Sequence, residues 1–210
     1  MTTESEESWR SKASIQRLPI IVDLLYGFAI GNGLSDAIKG VVTQFDWIAL
    51  VLLVLATIMA FSEWLAYHVH VSPLVYTGVT RLLLDMTFPM MIYLVLLAPT
   101  LSNQIYSAAY VSTVLFVYFS GAIWYAKLMD AEAAESDPSF KGIILVCTGT
   151  AFIAATIGWL SFAITISKEG KETAFWLALA ADLISMATIL YWSQYNIRCV
   201  RATMRRADVS

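Results

Sequence analysis

The strongest constraint on this chain is a series of six apolar runs, each long enough to cross a lipid bilayer. The runs cover about residues 18–42, 46–68, 74–98, 104–127, 142–166 and 173–197, and short links join them. A helix rises about 1.5 Å per residue and the hydrocarbon core is about 30 Å thick, so each run spans it as a helix. The composition agrees, because 59% of the 210 residues are hydrophobic and only 14% are charged. The sequence therefore predicts an all-α, polytopic membrane protein with six transmembrane helices.

The charge distribution predicts how these helices are oriented. We divide the chain into a polar N-terminal tail over 1–17, a transmembrane domain over 18–198 and a basic C-terminal tail over 199–210. An even number of spans puts both termini on one side of the membrane. Basic residues concentrate near the two tails, and the links after the first and third helices have almost none, so both tails are predicted to be cytoplasmic. We expect a multi-pass protein of the cell membrane that is in contact with lipid.

Tryptophan and tyrosine residues lie mostly toward the ends of the apolar runs. Trp47, Trp159, Trp176 and Trp192 are examples. Amphipathic rings at such positions are typical of the aromatic belts that sit at the two membrane surfaces. We therefore interpret these residues as interface anchors rather than as a ligand cage.

Several classes of function find no support in the sequence. The only histidines are His68 and His70, two positions apart on different helix faces, and Cys147 and Cys199 form no CxxC pair. There is no nucleophile elbow, P-loop or dinucleotide-binding glycine pattern, and no basic patch with interleaved aromatic residues. We expect neither an enzyme nor a resident cofactor or metal site, and no nucleic-acid partner.

Ionisable residues inside the apolar runs are costly and by default mark a functional or structural site. The predicted inner half of the membrane holds Asp23, Glu63, His68, Arg81 and Asp85, and the outer half holds Asp36, Lys39 and Asp182. Arg81 and Asp85 are four residues apart and can pair along one helix face. We interpret the inner group as a structural polar network that holds helices one to three together. A gate or a proton-sensitive element is the alternative interpretation.

The first run is too polar for a helix that faces lipid all round. Phe28, Asn32, Ser35 and Lys39 follow an i, i+4, i+7, i+11 path, so they form one stripe that runs outward from the middle of the membrane. One six-helix subunit has little room for a conduit, and the stripe is better explained if copies of helix one meet around a symmetry axis. This predicts a homo-oligomeric channel for a monovalent cation.

The members of the stripe receive separate roles in this prediction. Phe28 forms the narrow apolar point, and Asn32 and Ser35 offer oxygens to a partly dehydrated ion. Asp36 and Lys39 lie at the outer mouth. Gly27 and Gly31 form a GxxxG step on a neighbouring face, which predicts close approach of another helix.

The first helix also carries half of a known signature. The segment from Arg17 to Asp23 keeps the Arg and the Asp of an Arg-x-x-x-Phe-Ser-Asp motif at the right spacing, without its Phe and Ser. Weaker similarities lie in Trp64 to His68, in the LLLDMTFPMM run of helix three and in Ala108 to Tyr110. By these features the first 130 residues resemble the prokaryotic six-helix relatives of the endolysosomal potassium channel.

The resemblance implies a more specific arrangement. It implies a homotetramer in which helix one of each subunit lines a central pore, with potassium as the permeant ion. By spacing from the signature, Phe28 takes the position of the family's constriction, where the family has an aliphatic residue, followed by Asn32 and Ser35. Arg17, Asp23 and His68 take the place of a structural network near the pore.

Two other functions stay open at this point. In a small proton-coupled transporter, Asp23, Glu63 and Asp85 would take up and release protons during alternating access. A non-conducting membrane assembly module derived from the channel fold is the other alternative, because the Phe-Ser pair of the signature is missing.

Overall fold

The computed structural model of the chain describes residues 18–43, 46–68, 79–101, 103–132, 138–167 and 170–207. These form six α-helices: α1 (Leu18–Thr43), α2 (Trp47–Ala66), α3 (Val79–Leu97), α4 (Gln104–Glu132), α5 (Pro138–Ile166) and α6 (Lys171–Ala207). All six are long and apolar enough to cross a membrane. The prediction of an all-helical chain with six candidate spans is confirmed. The N-terminal tail over 1–17 lies outside the described residues.

Local signals set where the helices begin and end. Asp46 caps α2, since its Oδ1 accepts a hydrogen bond of 2.9 Å from the backbone N–H of Ile48. Asn103 does the same for α4 through the N–H of Ile105, at 3.0 Å. A 3-10 turn, Ala98–Thr100, ends α3 and contains Pro99. We call the end of the bundle at which α2, α4 and α6 begin the outer end, and the opposite end the inner end.

The bundle is organised around α4 and α6. These two helices pack on α5 and on each other, α2 packs on α6, and α1 lies at the edge, mainly against α3. The closest backbone approach is at Gly158 of α5, where an added Cβ would lie 2.9 Å from Cα of Ala109. Tyr118, Phe119 and Trp192 stack edge to face in the centre. Because α1 is peripheral, one side of it faces away from its own subunit.

The longest helix is α6, with 37 residues. At about 1.5 Å per residue it is about 55 Å long, which exceeds the hydrocarbon core by about 25 Å. It continues without a break through Arg198 to Ala207, and Arg198, Arg201 and Arg205 are exposed on this extension. The segment predicted as a basic tail, 199–210, therefore begins as the end of a transmembrane helix, and residues 208–210 lie outside the described part.

Candidate functional site

The two sides of α1 have different chemistry. The side that faces α3 is closely packed, with Val22, Ala29 and Ala37 fully buried and Tyr26 only 2% exposed. The opposite side, which we call the α1 outer face, carries the predicted pore-lining residues: Phe28, Asn32, Ser35, Asp36 and Lys39, all exposed. One helix therefore holds all five on a side that its own subunit leaves uncovered.

Within the α1 outer face, polar groups are held close to the helix. The Nδ2 of Asn32 donates to the backbone carbonyl of Phe28 at 3.2 Å. This contact holds the amide against the helix backbone one turn beyond Phe28, whose side chain is 58% exposed. One turn further out, Nζ of Lys39 lies 3.9 Å from Oδ1 of Asp36. Both side chains are well exposed, so this ion pair contributes little to the stability of the subunit.

The glycines of α1 divide between its two sides. An added Cβ on Gly27 or Gly31 would meet nothing within 4 Å, whereas one on Gly33 would lie 3.0 Å from Cδ1 of Leu96. At Gly40 it would lie 3.0 Å from Cα of Thr100. Within the subunit, close helix approaches are made at Gly33 and Gly40, and the approach predicted at the Gly27–Gly31 step stays a prediction. Gly27 and Gly31 open onto the α1 outer face.

The exposed faces of the other helices are mostly suited to lipid. On α5 the exposed large side chains are Leu145, Val146, Phe152, Ile153, Trp159, Leu160 and Ile166. On α2 they are Trp47, Val51, Val54, Ile58, Phe61 and Leu65. Helix α1 differs because its outer half exposes an amide, a hydroxyl, a carboxylate and an ammonium group at successive turns. Facing lipid, such groups lose their hydration without replacement.

The inner end holds a contact between two predicted network residues. Nε2 of His68 lies 3.3 Å from Oδ1 of Asp23, and both side chains are about one-third exposed, at 34% and 36%. Tyr67 and His68 form a π-helical turn after α2, which brings the imidazole beside Trp64, with 4.8 Å between ring centroids. Tyr67 stacks on Tyr26 at 5.6 Å. These contacts join α1 to α2.

Glu63 has different partners from those predicted. Its Oε2 accepts 2.8 Å from Nε1 of Trp192 and 2.6 Å from Nδ2 of Asn196, both on α6. The hydroxyl of Tyr118 on α4 lies within reach of the same carboxylate. The sequence placed Glu63 in a network of helices one to three, yet its hydrogen bonds fasten α2 to α6.

The remaining network residues are only partly described. Asp85 is 2% exposed, and Tyr26 lies close enough to interact electrostatically with both Asp85 and Glu63. Arg81 lies within α3, but its side chain and the whole of Arg17 fall outside the described residues. The predicted pairing of Arg81 with Asp85 therefore stays a prediction.

The two residues of α6 that bond to Glu63 were not predicted from the sequence to be its partners. Trp192 was assigned to an interface belt, but it is 3% exposed and stacks on Phe119 with 5.4 Å between ring centroids. Asn196 received no role, although it is 4% exposed. The available signal was their i, i+4 spacing within an otherwise apolar helix, which puts an indole N–H and an amide on one face.

The described ranges contain no candidate metal site. No group of three or more His, Cys, Asp or Glu side chains there is placed to hold a metal ion. What remains is a polar stripe on an uncovered helix face and a set of buried carboxylates inside the bundle. Polar groups at such positions are costly in a bilayer and by default mark a functional or structural site.

Comparisons of the chain with protein-family models, with curated proteins and with solved structures gave no match.

Proposed function

We propose that the chain assembles as a homotetramer in the cell membrane, both termini in the cytoplasm, and conducts a monovalent cation through a central pore lined by α1. Potassium is the favoured ion by resemblance. The observation that carries this proposal is the α1 outer face, where Asn32, Ser35, Asp36 and Lys39 follow Phe28 without cover from their own subunit. When copies of α1 surround a central axis, these groups contact water and one another instead of lipid.

The order of side chains along this face suits conduction. Phe28 is the eleventh residue of Leu18–Thr43, about 15 Å along the helix, so a ring of such side chains lies near the middle of the membrane. An apolar constriction there gates by excluding water. Asn32 and Ser35 follow within two turns, and the Asn32 amide is held against the helix backbone by its bond to the Phe28 carbonyl. Their oxygens replace part of the hydration shell of an ion that has passed the ring.

Small residues on the same face support close assembly. Gly27 and Gly31 have open space where a Cβ would stand. In membranes, helices associate through such small-residue steps because close packing replaces the missing hydrophobic drive. The inner half of α1 can therefore approach a neighbouring copy while Phe28 points toward the axis.

The test is potassium flux into liposomes that contain the purified protein. Phe28→Ala is expected to raise the flux several-fold because it widens the apolar constriction. Asn32→Leu is expected to lower it about tenfold, the effect of about 1.4 kcal/mol on the barrier. On α5, Thr156 bonds to the carbonyl of Phe152 at 2.9 Å, so Phe152→Ala and Thr156→Leu are controls of matched geometry that should leave the flux unchanged.

Two results would count against an α1 pore. One is wild-type flux no greater than that of empty liposomes. The other is equal flux in all four variants, which would show that the conduit lies elsewhere. Cross-linking completes the test: Ser35→Cys with a short bismaleimide should give bands up to a tetramer, while Thr156→Cys should stay monomeric, each in a background without Cys147 and Cys199.

A proton-coupled transporter is the second candidate, and the carboxylates within the bundle favour it. Asp85 is 2% exposed, and Glu63 lies between α2 and α6 with two hydrogen-bond donors on its Oε2. Groups of this kind serve as proton carriers when helices move between two arrangements. Saturable, proton-dependent uptake without single-channel steps, abolished by Asp85→Asn and kept in Phe28→Ala, would establish this function instead.

A further inference from the structure

A second polar cluster lies near the outer end of the bundle, apart from the α1 outer face and from Glu63. It consists of Asp182 and Ser185 on α6 and Gln104 at the start of α4. Asp182 is 1% exposed and Ser185 is fully buried. In this cluster three enclosed polar atoms have no hydrogen-bond partner among the described residues: Oδ1 of Asp182, Oγ of Ser185 and Nε2 of Gln104. An unsatisfied buried polar atom costs about 1–3 kcal/mol, so an ionised carboxylate at this position is costly.

The packing places these atoms around one spot. Asp182 and Ser185 are three residues apart and share one face of α6. The Gln104 amide lies near the Asp182 carboxylate without completing a hydrogen bond to it. The surrounding wall is made of small side chains, since Ala108, Ala178 and Ala181 are fully buried beside it. The polar atoms of Asp182, Ser185 and Gln104 therefore lie among small apolar side chains.

No cation balances Asp182 among the described residues that pack against α6. The charged residue of α5 is Lys141 at the inner end, and α4 carries Lys127, Asp130 and Glu132 there as well. On α2, Glu63 lies toward the inner end, and the charge that acts on Asp182 is the carboxylate of Asp46, which repels it. The first turn of α6 carries Lys171 and Glu172, about 15 Å along the helix axis from Asp182, and the arginines of α6 lie at the inner end. An ionised Asp182 is thus a buried negative charge facing another negative charge.

We propose that Asp182 is a proton-binding site that is reached from the outer end of the bundle. A bound proton removes the buried charge, whose desolvation otherwise costs several kcal/mol. It also turns the carboxyl into a hydrogen-bond donor as well as an acceptor, which suits the Ser185 hydroxyl, whose oxygen can accept from it. Asp46 is exposed at the first residue before α2, so water reaches the same end of the bundle.

Proton binding changes how the outer ends of α2 and α6 interact. Without the proton, the carboxylates of Asp46 and Asp182 repel each other across the outer ends of α2 and α6. With the proton, that repulsion ends, and the Ser185 oxygen gains a hydrogen-bond donor on the same face of α6. The site therefore makes the outer end of the bundle sensitive to external acidity, whatever the protein carries across the membrane.

The experiment is chemical modification of the purified full chain in detergent micelles with a hydrophobic carbodiimide, read by peptide mass spectrometry. The neutral carboxyl adds across one C=N bond of the reagent: its proton goes to a nitrogen and its oxygen bonds to the central carbon. The acyl group then migrates to the other nitrogen, so the peptide gains one intact reagent and nothing leaves. The reagent thus reports a carboxyl that carries a proton in an apolar site.

We expect an adduct on Asp182 that is present at neutral pH, grows as the pH falls and disappears in alkaline solution. Asp36, which is well exposed, should stay unmodified at neutral pH. Asp182→Asn, nearly isosteric, should lose this adduct and keep its size-exclusion profile. Asp46→Asn should move the half-modification point to lower pH, because it removes a neighbouring negative charge that favours the proton.

Three results would overturn the proposal. The first is absence of an Asp182 adduct at every pH at which the protein stays folded. The second is modification that does not depend on pH. The third is suppression of the adduct by sodium or potassium chloride but not by choline chloride, which would make a metal cation the occupant. None of these readouts depends on ion conduction, so the test stands or fails separately from the channel.

Discussion

Trp192 donates the N–H of its indole ring to Oε2 of Glu63 across 2.8 Å, and Asn196 donates to the same oxygen from one turn further along α6. The two contacts join residues 129 and 133 positions apart in the chain. They fasten α2 to α6 at a level where Trp192 also stacks on Phe119 of α4. One carboxylate oxygen thus holds a junction of three helices.

Removal of this carboxylate should destabilise the bundle. In Glu63→Ala two buried donors lose their acceptor, at a cost of about 1–3 kcal/mol for each. Glu63→Gln keeps a carbonyl oxygen that can accept from both, and its cost should stay below about 1 kcal/mol. Thermal unfolding in detergent micelles measures the difference, with the exposed Glu172→Ala as control. Equal melting temperatures for Glu63→Ala and wild type would show that the junction carries no stability.

The close contact of α5 with α4 predicts opposite effects for two glycines of the same helix. Gly158→Ala places a methyl group 2.9 Å from backbone Cα of Ala109, so the helices must separate, at about 1–3 kcal/mol. Gly149→Ala meets nothing within 4 Å and gains helix propensity of up to about 1 kcal/mol. Melting temperatures should therefore fall for the first variant and hold or rise for the second. A fall of equal size in both would contradict the packing.

Self-association should depend on the small residues of the α1 outer face. Gly31→Leu fills space that is open in the subunit, so the monomer should fold normally while the tetramer dissociates. Gly149→Leu adds the same side chain to an open position on α5 and serves as the control. Native mass spectrometry distinguishes the two. Tetramers that survive Gly31→Leu and dissociate with Gly149→Leu would move the subunit interface to α5.

The contact between Asp23 and His68 should contribute little to the stability of the bundle. Both side chains are about one-third exposed, so water screens the interaction, and Asp23→Asn should cost less than about 1 kcal/mol. His68→Ala should cost more, because it also removes the ring contact with Trp64. Unfolding midpoints of the two variants test this order. A larger loss of stability in Asp23→Asn would show that the charge of Asp23, rather than the ring of His68, stabilises the contact between α1 and α2.

Features that depend on local chain chemistry were predictable from the sequence. The six helices follow from apolar length, because a bilayer demands about 20 apolar residues of any helix that crosses it. The common side of Phe28, Asn32 and Ser35 follows from helical periodicity alone. The start of α2 at Trp47 follows from Asp46, whose side chain caps the first turn.

Features that depend on which helices pack against each other were not predictable from the sequence. The sequence gives Glu63 no indication of a partner on α6, since the pairing arises only when α2 packs against a helix that ends the chain. Trp192 resembles an interface anchor by position, and its burial depends on α4 and α5 surrounding it. Gly33 and Gly31 are equivalent in sequence, and only the location of α3 determines which of them packs tightly.

The uninterrupted length of α6 links two compartments. From Lys171 to Ala207 it contains neither proline nor glycine, the residues at which helices usually kink. Asp182 near one end, the Glu63 junction in the middle and Arg201 beyond the other end therefore move as parts of one rigid body. A tilt of α6 at its outer end has no hinge in which to be absorbed. The arginines at the inner end would be displaced with it, so a change at Asp182 is transmitted along α6 as a change in their position.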